Sequence, residues 1–524
     1  MKLDIRAPMG ETPQADPRVI SERQASRAVN MDFKDGTWET YKGLLDLEID
    51  IRPSTRTIYK FNPSAGGFWF QFDEEVDVIR SPIANDPFLR TMIFGDGEPR
   101  FTTLSLAQTL PPYPSASYRL GIPPPANAIV AEAPAVDMPE DAVEVNANYV
   151  MTFVDQFGAE SPPSDVSNDV VRWDGAEVVL TSLPIASGDF VINSKRLYRS
   201  ELSGSFLYLS DIAPTAETFT DNIDSNQLGL EIPSTTWFPP PAELKGAVSL
   251  PNGVLVGWHG NTLAFSEPYL PHAWPPEYER ALDNDIVSVV VTGAGALVTT
   301  TGKPYLLSGI DPNQMGLDKI DEVRACVSKG SSVDMGTYTI YASIDGLVAA
   351  GGTEAKLITD NIITSDQFQA LNPQSFRAYR YQNKYLCFYD GGSFMFSPTE
   401  GMVFFDEEAN CAFLDENSGR LYVVASDGSL MAWDEGDQLT GLWTSKVFQT
   451  PRDKGFSFCK VDAETYPQPF DFYRDGELIK TKNITNNKPF RLPTRSRYRE
   501  EYFTYRGTGG VNRIQLSENL NELT

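Results

Sequence analysis

From about Ser249 to Glu435 the chain repeats one unit: a short strand, a tight turn centred on Gly or Asn, and a second strand. Val248–Leu250, turn 251–253 and Val254–Trp258 form one copy. Ile286–Thr292, turn 293–295 and Ala296–Thr301 form the next. Further copies are Thr339–Ala342 with Leu347–Ala350, Phe376–Tyr381 with Lys384–Tyr389, and Arg420–Ala425 with Ser429–Trp433. The turns recur at roughly 40 residues, the length of one four-stranded propeller blade. A blade cannot bury its own faces and must stack beside neighbours. This cadence predicts an all-β chain built on a β-propeller.

Upstream, Thr57–Phe61, 66–72 and 75–81 read as strands with an aromatic face (Tyr59, Phe61, Phe68, Phe70, Phe72). Leu89–Phe94, Asp96–Gly97 and Pro99–Leu104 read as strand, turn and strand, a further blade far from the others. Between the two sets lies an insert bounded by prolines, Pro111 to Pro125 in front and Pro239–Pro241 behind. Its short alternating strands (Asn148–Val154, Val178–Leu180, Lys195–Ser200, Phe206–Ser210) predict a β-sandwich. The expected domains are 1–115, an N-terminal arm (Met1–Arg18) with the first blade; 116–236, the inserted sandwich; 237–440, the remaining blades; and 441–524, a β-rich C-terminal unit. Helical periodicity is confined to Asp366–Leu371 and a stretch within 15–30.

The chain has 524 residues and a formal charge of −28. That charge argues against binding of duplex nucleic acid by phosphate neutralisation and against an anionic membrane surface. No run of roughly 20 apolar residues predicts a membrane span, and no basic-then-apolar leader is seen, so the reading is of a soluble chain. Cys326, Cys387, Cys411 and Cys459 lie far apart, three of them in apolar strand patterns, and read as small buried thiols.

Catalytic chemistry has little to draw on. His259 and His272 are the histidines available to a triad, and neither lies near a Gly-x-Ser-x-Gly elbow. No phosphate-cradling glycine loop occurs. Paired carboxylates are the one plausible route, since a propeller pocket can host glycoside hydrolysis; Asp406, Glu407, Glu408 and Glu416 lie in loops where a solvated edge is the plainer reading. No enzyme activity, cofactor or metal site is expected. The Asp-Gly pairs at Asp96, Asp345, Asp390, Asp427 and Asp475 are turn formers.

The last segment concentrates positive charge: Lys488, Arg491, Arg495, Arg497, Arg499, Arg506 and Arg513 stand against Glu500 and Glu501. A solvated strand face is the default for such a cluster. Lys488, Arg491, Arg495, Arg497 and Arg499 are the candidate partner interface, either for an acidic partner or as a ring facing DNA.

Two resemblances add to this. Tyr149–Val154 with Glu160–Ser164 and Arg196–Ser200 resembles a fibronectin type III domain. The proline-dense loop 266–278, with Ser266, Glu267, Pro268, Pro271, Trp274 and Pro275 as its motif residues, is followed by 302–312, 322–331 and 341–348. Together with 28–36, 69–80 and 443–448, this order resembles the tail nozzle proteins of short-tailed bacteriophages, also called tail tubular protein B. The resemblance implies a structural virion protein made in the bacterial cytoplasm and located in the phage tail. It implies a homohexameric ring below an adaptor or head-to-tail connector, surrounding the channel for ejected DNA without specific binding. It carries over no catalytic residues. The insert would face outward toward tail fibres or the host, or brace the ring. Six copies would place a formal charge near −170 around the channel, −28 taken six times, a wall along which DNA slides because it offers no counterion release. The alternative is a receptor-binding or glycan-degrading tail protein; a propeller platform with no viral role is the third reading.

Overall fold

The computed structural model describes residues 2–61, 67–186, 188, 190–201, 204–293, 295–321, 324–449, 455–493 and 498–523. The chain is all-β: a β-propeller carrying an inserted β-sandwich and a β-rich C-terminal unit. It divides into two compact units, Met1–Lys60 with Thr292–Leu306 and Asp318–Thr524, and Phe61–Val291 with Leu307–Leu317.

The unit beginning at Phe61 holds two blades. One is Asp77–Arg80, Thr91–Phe94, Arg100–Thr102 and Tyr118–Arg119, each strand antiparallel to the next. The other is Gly246–Ser249, Leu255–His259, Thr262–Phe265 and Arg280–Ala281. As predicted, neither buries its own faces. Met92, Phe94 and Phe101 of the first share one core with Ala247, Leu255 and Ala264 of the second. The insert follows Tyr118–Arg119 and consists of two sheets. Val130–Glu132, Val178–Thr181 and Phe219–Asp221 form one; Val170–Arg172, Val145–Asp155, Ile192–Ser200 and Phe206–Ile212 form the other. Tyr149, Met151, Phe153 and Leu197 meet Ala131, Val178 and Leu180 between them. The alternation expected over Asn148–Val154 is masked because the outer face is also covered: Val150 packs with Tyr198 and Ile232, as 229–232 hydrogen-bonds to Phe206 and Tyr208.

The other unit repeats the blade pattern. Val333–Asp334, Thr339–Ala342, Leu347–Gly351 and Glu354–Leu357 form one sheet. Arg377–Tyr381, Lys384–Tyr389, Gly392–Ser397 and Gly401–Phe405 form the next. Cys411–Asp415, Arg420–Val424 and Ser429–Ala432 form a third, whose fourth strand is Leu45–Asp50 from near the N-terminus.

The C-terminal unit is two facing sheets around a core that includes Trp38, Trp443, Phe470, Phe472, Phe503 and Leu516. One sheet is Lys2–Ile5, Val511–Ser517, Phe458–Ala463 and Phe490–Arg491. The other runs from Arg27–Val29 through Gly441–Thr444, Glu500–Gly507 and Gln468–Arg474 to Glu477–Ile484, and joins the blade strand Gly401–Phe405 at Val29 and Phe404. The residues read as an N-terminal arm thus supply the strand Lys2–Ile5, which pairs with Val511–Ser517; beyond the arm, Arg27–Val29 pairs with Gly441–Thr444. Residues 15–30 form turns and then that strand instead of a helix. The expected helical turn at Asp366–Leu371 is the helix Ser365–Gln369, held by a capping box between Thr364 and Gln367. Among the described residues no helix is long and apolar enough to cross a membrane.

Candidate partner interface

Of the basic residues singled out from the sequence, Lys488, Arg491 and Arg499 lie near the open ends of the two C-terminal sheets. Arg491 belongs to Phe490–Arg491, the last strand of one sheet. Lys480 and Lys482 belong to Glu477–Ile484, the last strand of the other. Both ammonium groups lie over the Phe490 ring, each Nζ 5.8 Å from its centroid, within reach of the attraction between a cation and a ring face, and Lys480 Nζ donates to the Arg491 carbonyl at 3.1 Å. Lys488 and Arg499 are exposed. Lys488 sits in a turn where its N–H donates to Asn486 Oδ1 at 3.0 Å. The Arg499 N–H donates to Asp475 Oδ1 at 3.0 Å, tying it to the turn before Glu477–Ile484. Arg495 and Arg497 lie outside the described residues.

The structure therefore gathers Lys488, Arg491 and Arg499 at this edge and adds Lys480 and Lys482. The sequence reading missed these two because Glu477 and ordinary strand alternation hid them. Arg506 and Arg513 face elsewhere, toward Asp471 at 3.5 Å and Asp4 at 2.6 Å. Glu501 does not neutralise the patch: it is buried against Arg474 at 2.7 Å and accepts the Phe456 N–H.

The proline-dense loop is a folded bracket. Ser266 Oγ accepts the Leu255 N–H at 2.9 Å and donates to the Glu267 carbonyl. Glu267 bonds back to Ala273 and Leu270 along the backbone and accepts the Tyr278 hydroxyl at 3.0 Å. Pro271, Trp274 and Pro275 are buried, while Pro268 is exposed. Trp274 is 2% exposed. Its Nε1 donates to the Pro271 carbonyl at 2.9 Å, and its ring lies 6.3 Å from Phe94. These contacts set loop geometry and blade packing.

The groups weighed for catalysis are dispersed. His259 ends the strand Leu255–His259 and is half-buried. His272 is buried beside Trp237; desolvation, with Arg90 nearby, pushes its imidazole down to about 4 and keeps it neutral. Burial raises the Glu407 carboxyl, between exposed Asp406 and Glu408. Among the described residues no group of His, Cys, Asp or Glu side chains is arranged to hold a metal.

Sequence reading also missed the buried ions of the insert. Arg199 and Asp221 are both fully buried and 2.6 Å apart, and Asp221 accepts the Tyr149 hydroxyl at 2.8 Å. Lys195, equally buried, donates to the Ala216 carbonyl at 2.6 Å, and its pKa is lowered by desolvation. Their partners are far away in sequence, so no local signal marks them.

No protein family and no curated protein matches the chain. Solved structures with a related fold include streptogramin B lyase, at 9% identity over 55% of this chain and 87% of that one, TM-score 0.26. They also include PorZ of Porphyromonas gingivalis, a surface component of the type-IX secretion system, at 12% identity over 61% and 43%, TM-score 0.25. Hsv2 of Kluyveromyces marxianus is similar at 9% identity over 59% and 95%, TM-score 0.24.

Proposed function

We propose that this protein is a structural, non-enzymatic component of a short-tailed phage virion: the nozzle or distal tail-tube subunit that rings the DNA exit channel below the adaptor. The observation that carries this reading is the ordered set of sequence segments 266–278, 302–312, 322–331 and 341–348, on a propeller interrupted by a sandwich. The resemblance to nozzle proteins rests on that order. The charge of −28 suits a channel wall that must release DNA: a basic wall would hold the genome by counterion release, whereas an acidic one lets it pass. The basic strand edge then belongs to a protein contact.

Electron microscopy of the purified protein, alone and mixed with neighbouring tail proteins, tests the reading. Closed rings with a channel admitting a DNA duplex, or rings completed on the adaptor, are expected. Particles that stay single and never join a tail would overturn it, and hydrolysis of host polysaccharide by those particles would establish the glycan-degrading alternative.

A further inference from the structure

Two sheets in the unit containing the C-terminal sandwich end on exposed edge strands of opposite charge. The first is Leu45–Asp50, the outermost strand of the sheet completed by Ser429–Ala432. It reads Leu-Asp-Leu-Glu-Ile-Asp, and all but Leu47 are exposed; Leu45 and Ile49 are each 40% exposed. Asp46, Glu48 and Asp50 make no ion pair with any described residue. The second is the basic edge of Lys480, Lys482, Lys488, Arg491 and Arg499, with Leu478 53% exposed beside it. These five cations likewise make no ion pair with a described residue.

Unpaired edges invite indiscriminate strand pairing, and both carry devices against it. On the acidic edge, Glu48 is left-handed at φ 55°, and the ladder skips register between Ser429 and Met431. This bulge spoils the outer hydrogen-bonding row. On the basic edge, charge is the device: Lys480 and Lys482 sit on the outermost strand with their ammonium groups over the Phe490 ring. Backbone pairing is thereby disfavoured, while side-chain docking is left available. Charge selects the partner: in a chain with a formal charge of −28, a basic edge offers an acidic edge of a second copy a complementary surface.

We propose that the acidic edge Leu45–Asp50 of one copy docks on the basic edge of Lys480, Lys482, Lys488, Arg491 and Arg499 of a second copy, with ion pairs flanking a contact among Leu45, Ile49 and Leu478. The two patches are different surfaces of one chain, so the contact is heterologous. Such contacts repeat head to tail and produce a ring when the rotation closes. The contact deepens the ring reading above and rests on that reading only for closure.

Charge reversal tests it, read by sedimentation velocity and electron microscopy. Lys480→Glu with Lys482→Glu makes both edges acidic; Asp46→Lys with Asp50→Lys makes both basic. Each variant alone is expected to lose self-association by ~100-fold or more, as like charges face each other. A mixture of the two is expected to assemble, because every contact in an alternating array is again between opposite charges. Lys488→Glu with Arg499→Glu, at exposed positions, repeats the basic-edge test without touching Phe490, and circular dichroism checks each fold. If the unmodified chain forms rings that survive both reversals, or if the mixture stays monomeric, the proposed contact is wrong and the ring reading stands. Open filaments or dimers that obey the reversal pattern establish the contact and remove the ring. A chain that never self-associates, alone or on the tail, overturns both.

Discussion

Glu11 offers a test of how the N-terminal segment is locked into the C-terminal unit. Its backbone N–H donates to the Met402 carbonyl at 2.7 Å, and its carboxylate accepts the Ala28 N–H at 3.0 Å. It thus staples the strand Arg27–Val29 to the blade strand Gly401–Phe405. Burial outweighs this hydrogen bond and the nearby Arg27, raising the carboxyl from 4.5 to about 7. Between those values the folded chain holds a proton that the unfolded chain has released. Stability therefore falls as pH rises from about 4.5 to about 7, and levels off above. Each tenfold change in proton affinity is worth about 1.4 kcal/mol, so the ionised carboxylate costs the fold about 3 kcal/mol at pH 8. Glu11→Gln keeps an oxygen for the Ala28 N–H and cannot ionise. It is expected to be more stable than the unmodified chain by up to about 3 kcal/mol at pH 8 and to gain nothing at pH 4.5. Denaturant titration across this range gives the difference, and hydrogen exchange of peptides spanning 9–29 assigns it to this unit. An equal difference at both pH values would refute the reasoning, because the carboxyl would then titrate alike in both states.

Other perturbations probe the remaining contacts. Asp221→Ala in the insert removes one of the two carboxylates beside the buried Arg199 cation, leaving Glu201 at 2.9 Å, and takes the acceptor from the Tyr149 hydroxyl; a loss of roughly 2–4 kcal/mol is expected on thermal unfolding, and a loss below ~1 kcal/mol would show that Glu201 alone compensates the cation. Trp274→Ala removes the ring packed near Phe94 and should cost about 3–5 kcal/mol, whereas Trp274→Phe should cost roughly 1–2 kcal/mol for the lost bond to Pro271 and the smaller ring. The four cysteines are buried, and desolvation pushes the Cys411 thiol up to about 12. Thiol reagents should modify the native chain only as fast as it opens, so rapid stoichiometric labelling at neutral pH would contradict their placement.

What was legible in the sequence is what is local. Gln382 and Asn383 both take left-handed backbone at φ 48° and 61°, which a two-residue turn between right-twisted strands requires. That turn closes Tyr381 onto Lys384. Asp475 and Gly476 do the same at φ 45° and 81°, between Arg474 and Glu477. Such pairs announce themselves because turn chemistry and strand pairing are fixed within a few residues, and the blades follow from them. The completing strands carry no such mark. Leu45–Asp50 is mostly exposed, and Asp46 and Glu48 disfavour strand structure; it is a strand because Ser429–Ala432 offers an open edge far along the chain. Lys2–Ile5 alternates exposed and buried residues, yet four residues cannot announce Val511–Ser517 as their partner. The basic cluster was visible as composition, but its geometry was not. Arg506 and Arg513 are spent on Asp471 and Asp4, while Lys480 and Lys482 join the patch because the strand Glu477–Ile484 ends its sheet. A charge belongs to an interface or to a solvated face according to which edge its strand occupies, and sheet order, a long-range property, decides that.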